Sequence, residues 1–484
     1  MAAKSCLSDD TCCSQPLAAS SAPKVASRIH RRSEGWRFPT PYKGLSGPPR
    51  ASCNLVNALP NLPAQSAAGA DSTRSGALNS SFRACRSPPQ GATMALMNAL
   101  LPPAPRLISE LIAIPSVSSA QPELDMGNRA VIERICEWCQ QLGFNTEILP
   151  LPDQPGKANL VATLGDGSGA LVLAGHTDTV PFDLSGWQSD PFEGSIREGK
   201  LYGLGSSDMK GFFALALAAV AGLLPARFHQ PLVIVATCDE ETSMAGAREL
   251  SRSKAFRGRY ALIGEPTAMR PAHLHKGVMM ERIRIIGHSG HSSDPSLGRN
   301  ALDGMHRVIT VLMEERQRWL ERHHHAGFTI PYPTLNLGHI HGGDNPNRIC
   351  GACELHFDVR LLPGMTPETL RDLLRTRIDA ALADLDLTLE FQPLFDGLPP
   401  LETPLTSPLV TACAALTGQD PVSVAFGTEG PYYRAMGMDT VILGPGDIEQ
   451  AHQPNEFLAL DRIAPMIRIL QDLIVRFCLT PAAV

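Results

Sequence analysis

The sequence predicts an α/β protein, a mixed buried sheet flanked by helices and interrupted by an inserted ferredoxin-like β-α-β-β-α-β unit. Three observations predict it. Short apolar runs end abruptly in polar residues and alternate with helical patterns, as the buried strands of an open α/β sheet do. Between about Lys276 and Pro393 the order of elements becomes β-α-β-β-α-β. After Pro393 the first pattern resumes, so the middle unit is an insertion. The expected division is an N-terminal extension over 1–93, a main domain over 94–275 and 394–484, and the inserted domain over 276–393.

Taken in order, residues 1–93 are rich in Ser, Ala, Pro and Arg and show no sustained periodicity. They hold 11 Lys/Arg against 4 Asp/Glu, a balance of +7. We read them as a disordered basic tail or as the product of a displaced start site, with Met94 or Met97 as the first residue. A transit peptide is the third reading. From Pro105 a short amphipathic helix runs to Ile114. A second spans Asn128 to Leu142, with Val131, Ile135, Trp138 and Leu142 at helical spacing and Gly143 closing it. Leu160–Leu164, Leu171–His176, Leu232–Thr237 and Ala261–Ile263 read as strands. Gly211–Leu224 reads as a buried helix, too short and too closely preceded by Asp208 and Lys210 to span a bilayer.

In the inserted unit, strands are expected over Met279–Ile286, Thr334–His339, Glu354–Leu361 and Leu387–Pro393. Helices are expected over Asn300–Leu320 and Pro367–Leu385. Beyond it come strands at Val422–Ala425 and Asp439–Leu443, and a helix from Asp461 to about Phe477.

Composition narrows the function. Hydrophobic residues make up 43% of the 484, enough for a large core. The net charge is −6, so the chain beyond residue 93 carries −13, which argues against a nucleic-acid partner. The 12 cysteines are scattered, as reduced thiols of a cytoplasmic enzyme are. Cys136/Cys139 and Cys350/Cys353 have zinc-knuckle spacing, but they fall on a helical and a strand-like pattern and read as buried small hydrophobes.

The chemistry lies at the strand ends. His176 and Asp178 follow one apolar run, two residues apart and therefore on one face of an extended chain. Asp208 precedes the long apolar helix, where an N-cap is the alternative account. Asp239, Glu240 and Glu241 follow another strand, and packed like charges there need a counter-cation or raised pKa values. Glu265 and His452 follow further strands. In an open α/β sheet all these ends share one edge. Imidazole with carboxylate ligation suits Zn, Co or Mn and excludes a thiolate site. The surplus of ligands suits two metals about 3.5–4 Å apart. A remaining carboxylate can move a proton from water to a leaving amine, which points to amide hydrolysis.

From about Met94 onward the chain resembles the acetylornithine deacetylase/succinyl-diaminopimelate desuccinylase family of dinuclear metallohydrolases. Five motifs carry the resemblance in the family's order: Gly175-His176-Thr-Asp178-Thr-Val-Pro181, Gly205-Ser-Ser-Asp208-Met-Lys-Gly211, Asp239-Glu240-Glu241, Gly264-Glu265-Pro266 and Ala451-His452. Glu240 to Gly246, Ile349 to Glu354 and Asp358-Val-Arg360 are closest to its acetylornithine-cleaving branch.

The resemblance implies two divalent ions, Zn2+ or Co2+. Asp208 would bridge them, His176 and Glu265 would complete one position, and Glu241 and His452 the other. It makes Glu240 the general base and acid, and Asp178 the residue that orients His176. It makes the insertion a lid and dimerisation domain whose His291 stabilises the oxyanion, in its own chain or across a homodimer. Arg360 would clamp the substrate's α-carboxylate, with Asn347 and Thr428 as further polar contacts. The implied reaction removes the acetyl group from N2-acetyl-L-ornithine, a step of arginine biosynthesis in the cytoplasm. Succinyl-diaminopimelate, another N-acyl amino acid or a dipeptide is the alternative substrate. A non-catalytic metal-binding scaffold is the alternative class, disfavoured by the intact Glu240.

Overall fold

The computed structural model describes residues 101–152, 154–167 and 169–480. Segment 1–93, with its readings as a tail, a transit peptide or a displaced start, lies outside the described residues.

Among the described residues, nine strands form the main sheet. Eight follow one path: Asn145–Leu151, Gln154–Leu164, Leu232–Thr237, Leu171–His176, Tyr260–Ile263, Asp439–Ile442, Ala272–His275 and Leu401–Glu402. Val422–Val424 pairs with Ala272–His275 beside that path. The four central strands are parallel, so their carboxyl ends share one edge. The flanking pairs are antiparallel, which makes the sheet mixed.

Three of the central strands, Leu232–Thr237, Leu171–His176 and Tyr260–Ile263, are buried at every position because helices cover both faces. Ala104–Ile112, Arg129–Gln141, Lys210–Ala221 and Ile463–Ile474 build the larger core on one face. Leu250, Phe256, Tyr433 and Met438 build the smaller core on the other.

The helix Lys210–Ala221 lies close beneath the strand ends. A Cβ on Gly264 would sit 2.0 Å from the Phe212 ring, and one on Gly175 would sit 2.0 Å from Met209. Both glycines directly precede acid or imidazole groups of the shared edge, Glu265 and His176. Their missing side chains let the helix support that edge at close range.

The insertion forms the expected ferredoxin-like unit. Its four antiparallel strands lie in the order Thr334–Gly342, Ala352–Leu361, Gly277–Ile286 and Thr388–Pro393. Cys353, Leu355, Phe357, Val359 and Leu361 alternate inward and pack on the helices Ala301–Arg322 and Pro367–Leu382. Glu354, His356, Asp358 and Arg360 take the opposite face.

Several elements differ from expectation. The first helix stops at Ile112, ahead of Pro115, which disfavours helix in the residue before it. The strand Asn145–Leu151 and the three-stranded sheet of Ser195–Arg197, Lys200–Tyr202 and Phe457–Ala459 were not foreseen. Strands of three residues are too short to show a period. Asp208 is not an N-cap: the helix has Met209 at its cap position, with no side-chain cap bond. The two Cys-x-x-Cys pairs lie in different cores, one under the main sheet and one in the insertion. No helix among the described residues is long and apolar enough to cross a membrane.

Substituting Gly264→Ala is expected to destabilise the chain by about 1–3 kcal/mol through overpacking against Phe212. Adding Phe212→Ala should make the double variant more stable than the sum of the two single losses. Thermal or urea unfolding of the four proteins measures this, and strict additivity would show that the two residues do not meet.

Candidate metal centre

The polar groups reach the shared edge from three parallel strand ends and two loops: His176 and Asp178 follow one strand, Glu240 and Glu241 a second and Glu265 a third, while Asp208 precedes the helix Lys210–Ala221 and His452 lies in the turns before Phe457–Ala459. His176 is the last residue of its strand and is 1% exposed. Its Nε2 lies 3.1 Å from Asp208 Oδ1 and 3.7 Å from Glu265 Oε1. Its Nδ1 lies 3.0 Å from the Asp178 carbonyl and 3.8 Å from the Asp178 carboxylate. The backbone of Asp178 therefore orients the ring at least as directly as its side chain. Asp178 Oδ2 accepts from the Glu241 N–H at 3.1 Å, which ties the two strand ends together.

Asp208 occupies the middle of the group. While Oδ1 faces His176, Oδ2 lies 3.5 Å from His452 Nε2. His452 Nε2 is also 3.1 Å from Glu241 Oε2. His452 has a positive φ of 59° and stands half-exposed at the mouth of the site. Two sets of donor atoms fall within 4.8 Å of one another: His176, Glu240 and Glu265, and His176, Asp208 and Glu241.

The electrostatics explain why such a group asks for cations. Burial raises Glu240 well above the ordinary carboxylate range, and Glu265, Glu241 and Glu429 reinforce that against the opposing charge of His176. Burial likewise lifts Glu265 to about 8 and raises Glu241 and Asp178. Burial also opposes ionisation of Asp208, but the hydrogen bond and charge of His176, with His452 behind, hold it below its ordinary value. His452 is raised to about 9, chiefly by its hydrogen bond to Glu241. Glu429 is fully buried and raised by burial to about 7, and neither carboxylate oxygen meets a well-aligned donor. The nearby Thr237 hydroxyl donates to the Gly175 carbonyl instead.

Carboxylates outnumber the basic groups His176, His452 and Lys210, and burial lowers Lys210 to about 7. The donor set is imidazole and carboxylate throughout, and it fits hard-to-borderline divalent metals.

The first acid of the Asp239-Glu240-Glu241 run turns away from this group. Asp239 has a positive φ of 61° and points away from the centre. It accepts from Ser118 at 2.7 Å and pairs with Lys157, whose ammonium also meets Asp125 at 2.9 Å. Three residues in the middle of this network were not singled out from the sequence. Lys157 neutralises Asp239. Glu456 is buried and accepts backbone N–H groups from the Asp208 loop, although burial lifts it to about 8. Lys210 donates to the Ile114 carbonyl at 3.0 Å. Glu456 stood in plain view four residues after His452, but no periodicity marks an acid that reaches a loop some 250 positions earlier.

The remaining expected residues are more dispersed. His291 is exposed in the insertion, where its Nδ1 meets the Ser293 hydroxyl at 2.7 Å and its backbone bridges Arg348. Arg360 lies on the polar face of the inserted sheet, donating to Asp358 at 3.1 Å. Asn347 is exposed, in a turn where its N–H donates to the Asn345 side chain. Thr428 is buried, with its hydroxyl 3.2 Å from His275 Nε2 and accepting from the Gly430 N–H.

Comparison with known proteins places this geometry. The chain is 46% identical over 387 residues to the acetylornithine deacetylase of Proteus mirabilis, covering 80% of this chain and all of that one. It is 46% identical over 373 residues to the enzyme of the same name from Pasteurella multocida, covering 77% and 97%. Among solved structures, an aminopeptidase from Bacillus cereus superposes with a TM-score of 0.60 at 17% identity, covering 77% of this chain and 97% of that one. A dinuclear metal-binding peptidase of the M20 family from Bacillus subtilis superposes at 0.54 and 15% identity, covering 79% and 99%. The model of peptidase family M20/M25/M40 matches residues 172–476, a span that holds every residue of the centre from His176 to His452, and the chain belongs to that family.

Proposed function

We propose that this chain hydrolyses the amide of N2-acetyl-L-ornithine to L-ornithine and acetate. The observation that carries the reaction is the Asp208 carboxylate set between His176 and His452 with buried acids on either side. The acyl group and amino acid are those named in the relatives, which the chain matches along their whole length.

In this reading two divalent ions, Zn2+ or Co2+, would be held by these residues: His176 and Glu265 would serve one, Glu241 and His452 the other, and Asp208 would be shared between them. When bound, such ions supply Lewis acidity that lowers the pKa of water and polarises a carbonyl. Glu240, buried among acids and within reach of the centre, takes the proton of the attacking water and returns it to the leaving nitrogen. Asp178 holds His176 in orientation through its carbonyl and carboxylate.

The insertion, 276–393, acts as the lid and dimerisation domain over the catalytic parts 94–275 and 394–484. His291, exposed on it and held through Nδ1 by Ser293, would present Nε2 to an oxyanion, in its own chain or across a homodimer. Arg360 presents a planar fork suited to the substrate's α-carboxylate. Asn347, exposed on the insertion, and Thr428, buried beside His275, would supply further polar contacts to the substrate. The seven described cysteines are buried, and a cytoplasmic setting would keep them reduced.

Metal-free protein is expected to be inactive on N-acetylornithine and to recover with Zn2+ or Co2+. It should act on N-succinyl-diaminopimelate and N-acetylmethionine far more slowly. A preference for either of those in steady-state assays would move the substrate assignment and keep the reaction.

Glu240→Gln should still take up two metal equivalents while kcat falls by about 10²–10⁴-fold. Activity within a few-fold of the parent would remove Glu240 from the role of base. Arg360→Ala should raise KM chiefly for substrates with a free α-carboxylate. Equal losses on free-acid and esterified substrates would refute the clamp.

A further inference from the structure

We propose that Glu456 is a positioning residue that sets Asp208 and His452 relative to one another; the inference rests on the metal reading of the site given above. Glu456 is 1% exposed, and the nearby Lys210 ammonium feels its charge. Its hydrogen bonds go to backbone. Oε1 accepts from the N–H groups of Ser207 at 2.7 Å and Asp208 at 3.0 Å. Oε2 accepts from Gly205 N–H at 3.0 Å. The main-chain carbonyl of Glu456 accepts from Gly203 N–H at 3.0 Å.

Four backbone donors of the loop that delivers Asp208 thus end on one residue. That loop turns through Gly203 and Gly205, both at positive φ, and glycine restrains such a backbone least. Its buried N–H groups need acceptors, and a bifurcating carboxylate fixes three of them at once.

The same residue closes the segment that carries His452. From His452 to Glu456 is only four residues, in a stretch of turns between the strand Asp439–Ile442 and the strand Phe457–Ala459. Asp208 and His452 come from parts of the chain some 240 positions apart, yet their side chains meet at 3.5 Å. Glu456 lies four residues along the chain from His452 and accepts a hydrogen bond from the Asp208 backbone. A glutamine there keeps one acceptor oxygen and turns an N–H group toward Gly205. An alanine leaves all three donors unmet.

The test is metal binding to the full chain, read by calorimetry with Zn2+ and by the visible spectrum of Co2+, beside kcat and KM. Wild type should take up two equivalents. In Glu456→Ala the affinity for at least one equivalent should fall by about 10–100-fold, as losses behind metal ligands do. Glu456→Gln should show a smaller loss of the same kind. The Co2+ spectrum should change in both variants, and kcat should fall with KM little altered, because the substrate clamp lies on the inserted domain.

Wild-type affinities and an unchanged Co2+ spectrum in Glu456→Ala, with only a lowered melting temperature, would show a structural buttress and overturn the proposal. If Glu456→Ala does not fold, Glu456→Gln decides: wild-type affinities and spectrum there overturn it. A wild-type chain that binds no divalent metal would overturn the reading of the site itself, and the positioning role with it.

Discussion

Like-charged carboxylates packed in a buried site repel one another, and burial alone disfavours each of their ionised forms. The shared edge of the central sheet holds Asp178, Asp208, Glu240, Glu241 and Glu265 around His176 in this unfavourable state. Much of the surrounding structure is explicable as the means of holding it. The parallel strands bring the acids to one edge, and the helix Lys210–Ala221 presses beneath them against Gly175 and Gly264. The acid that would add to the crowding, Asp239, is turned away and neutralised by Lys157. A pair of divalent cations is the chemical complement of what is left.

The hydrogen bonds divide the acids into two kinds. Asp178 through Oδ2 and Glu456 through both oxygens accept from backbone N–H groups, so they act as struts between distant segments. Asp208, Glu241 and Glu265 keep their oxygens directed at imidazole nitrogens, in the geometry a ligand adopts. Glu240 has no such imidazole partner within salt-bridge distance. Burial raises it well above the ordinary carboxylate range, and Glu265, Glu241 and Glu429 add to that against the charge of His176.

The inserted unit supplies a different kind of surface. Its sheet buries one face against two helices and leaves the other polar, with Asp358 and Arg360 paired at the end nearest the hinge residues Lys276 and Gly277. A guanidinium already oriented by a carboxylate loses less freedom on meeting a second one. His291 stands on an exposed turn of the same unit, so whatever it contributes to the reaction depends on where the unit stands relative to the centre.

By itself the sequence determined the α/β class, the insertion and the list of acids and histidines that gather at one edge. These are legible because burial on both faces writes uninterrupted apolar runs, and because a polar residue ending such a run stands out against it. Only the tertiary structure decided the direction in which each of those residues points. Asp208 could have been a helix cap, and Asp239 is as acidic as Glu240. What separates them is the left-handed turn at Asp239, the ammonium of Lys157 and the three N–H bonds to Glu456, all contacts between segments far apart in the chain. Such contacts have no period and no fixed spacing, so they leave no pattern in a sequence until the chain has folded.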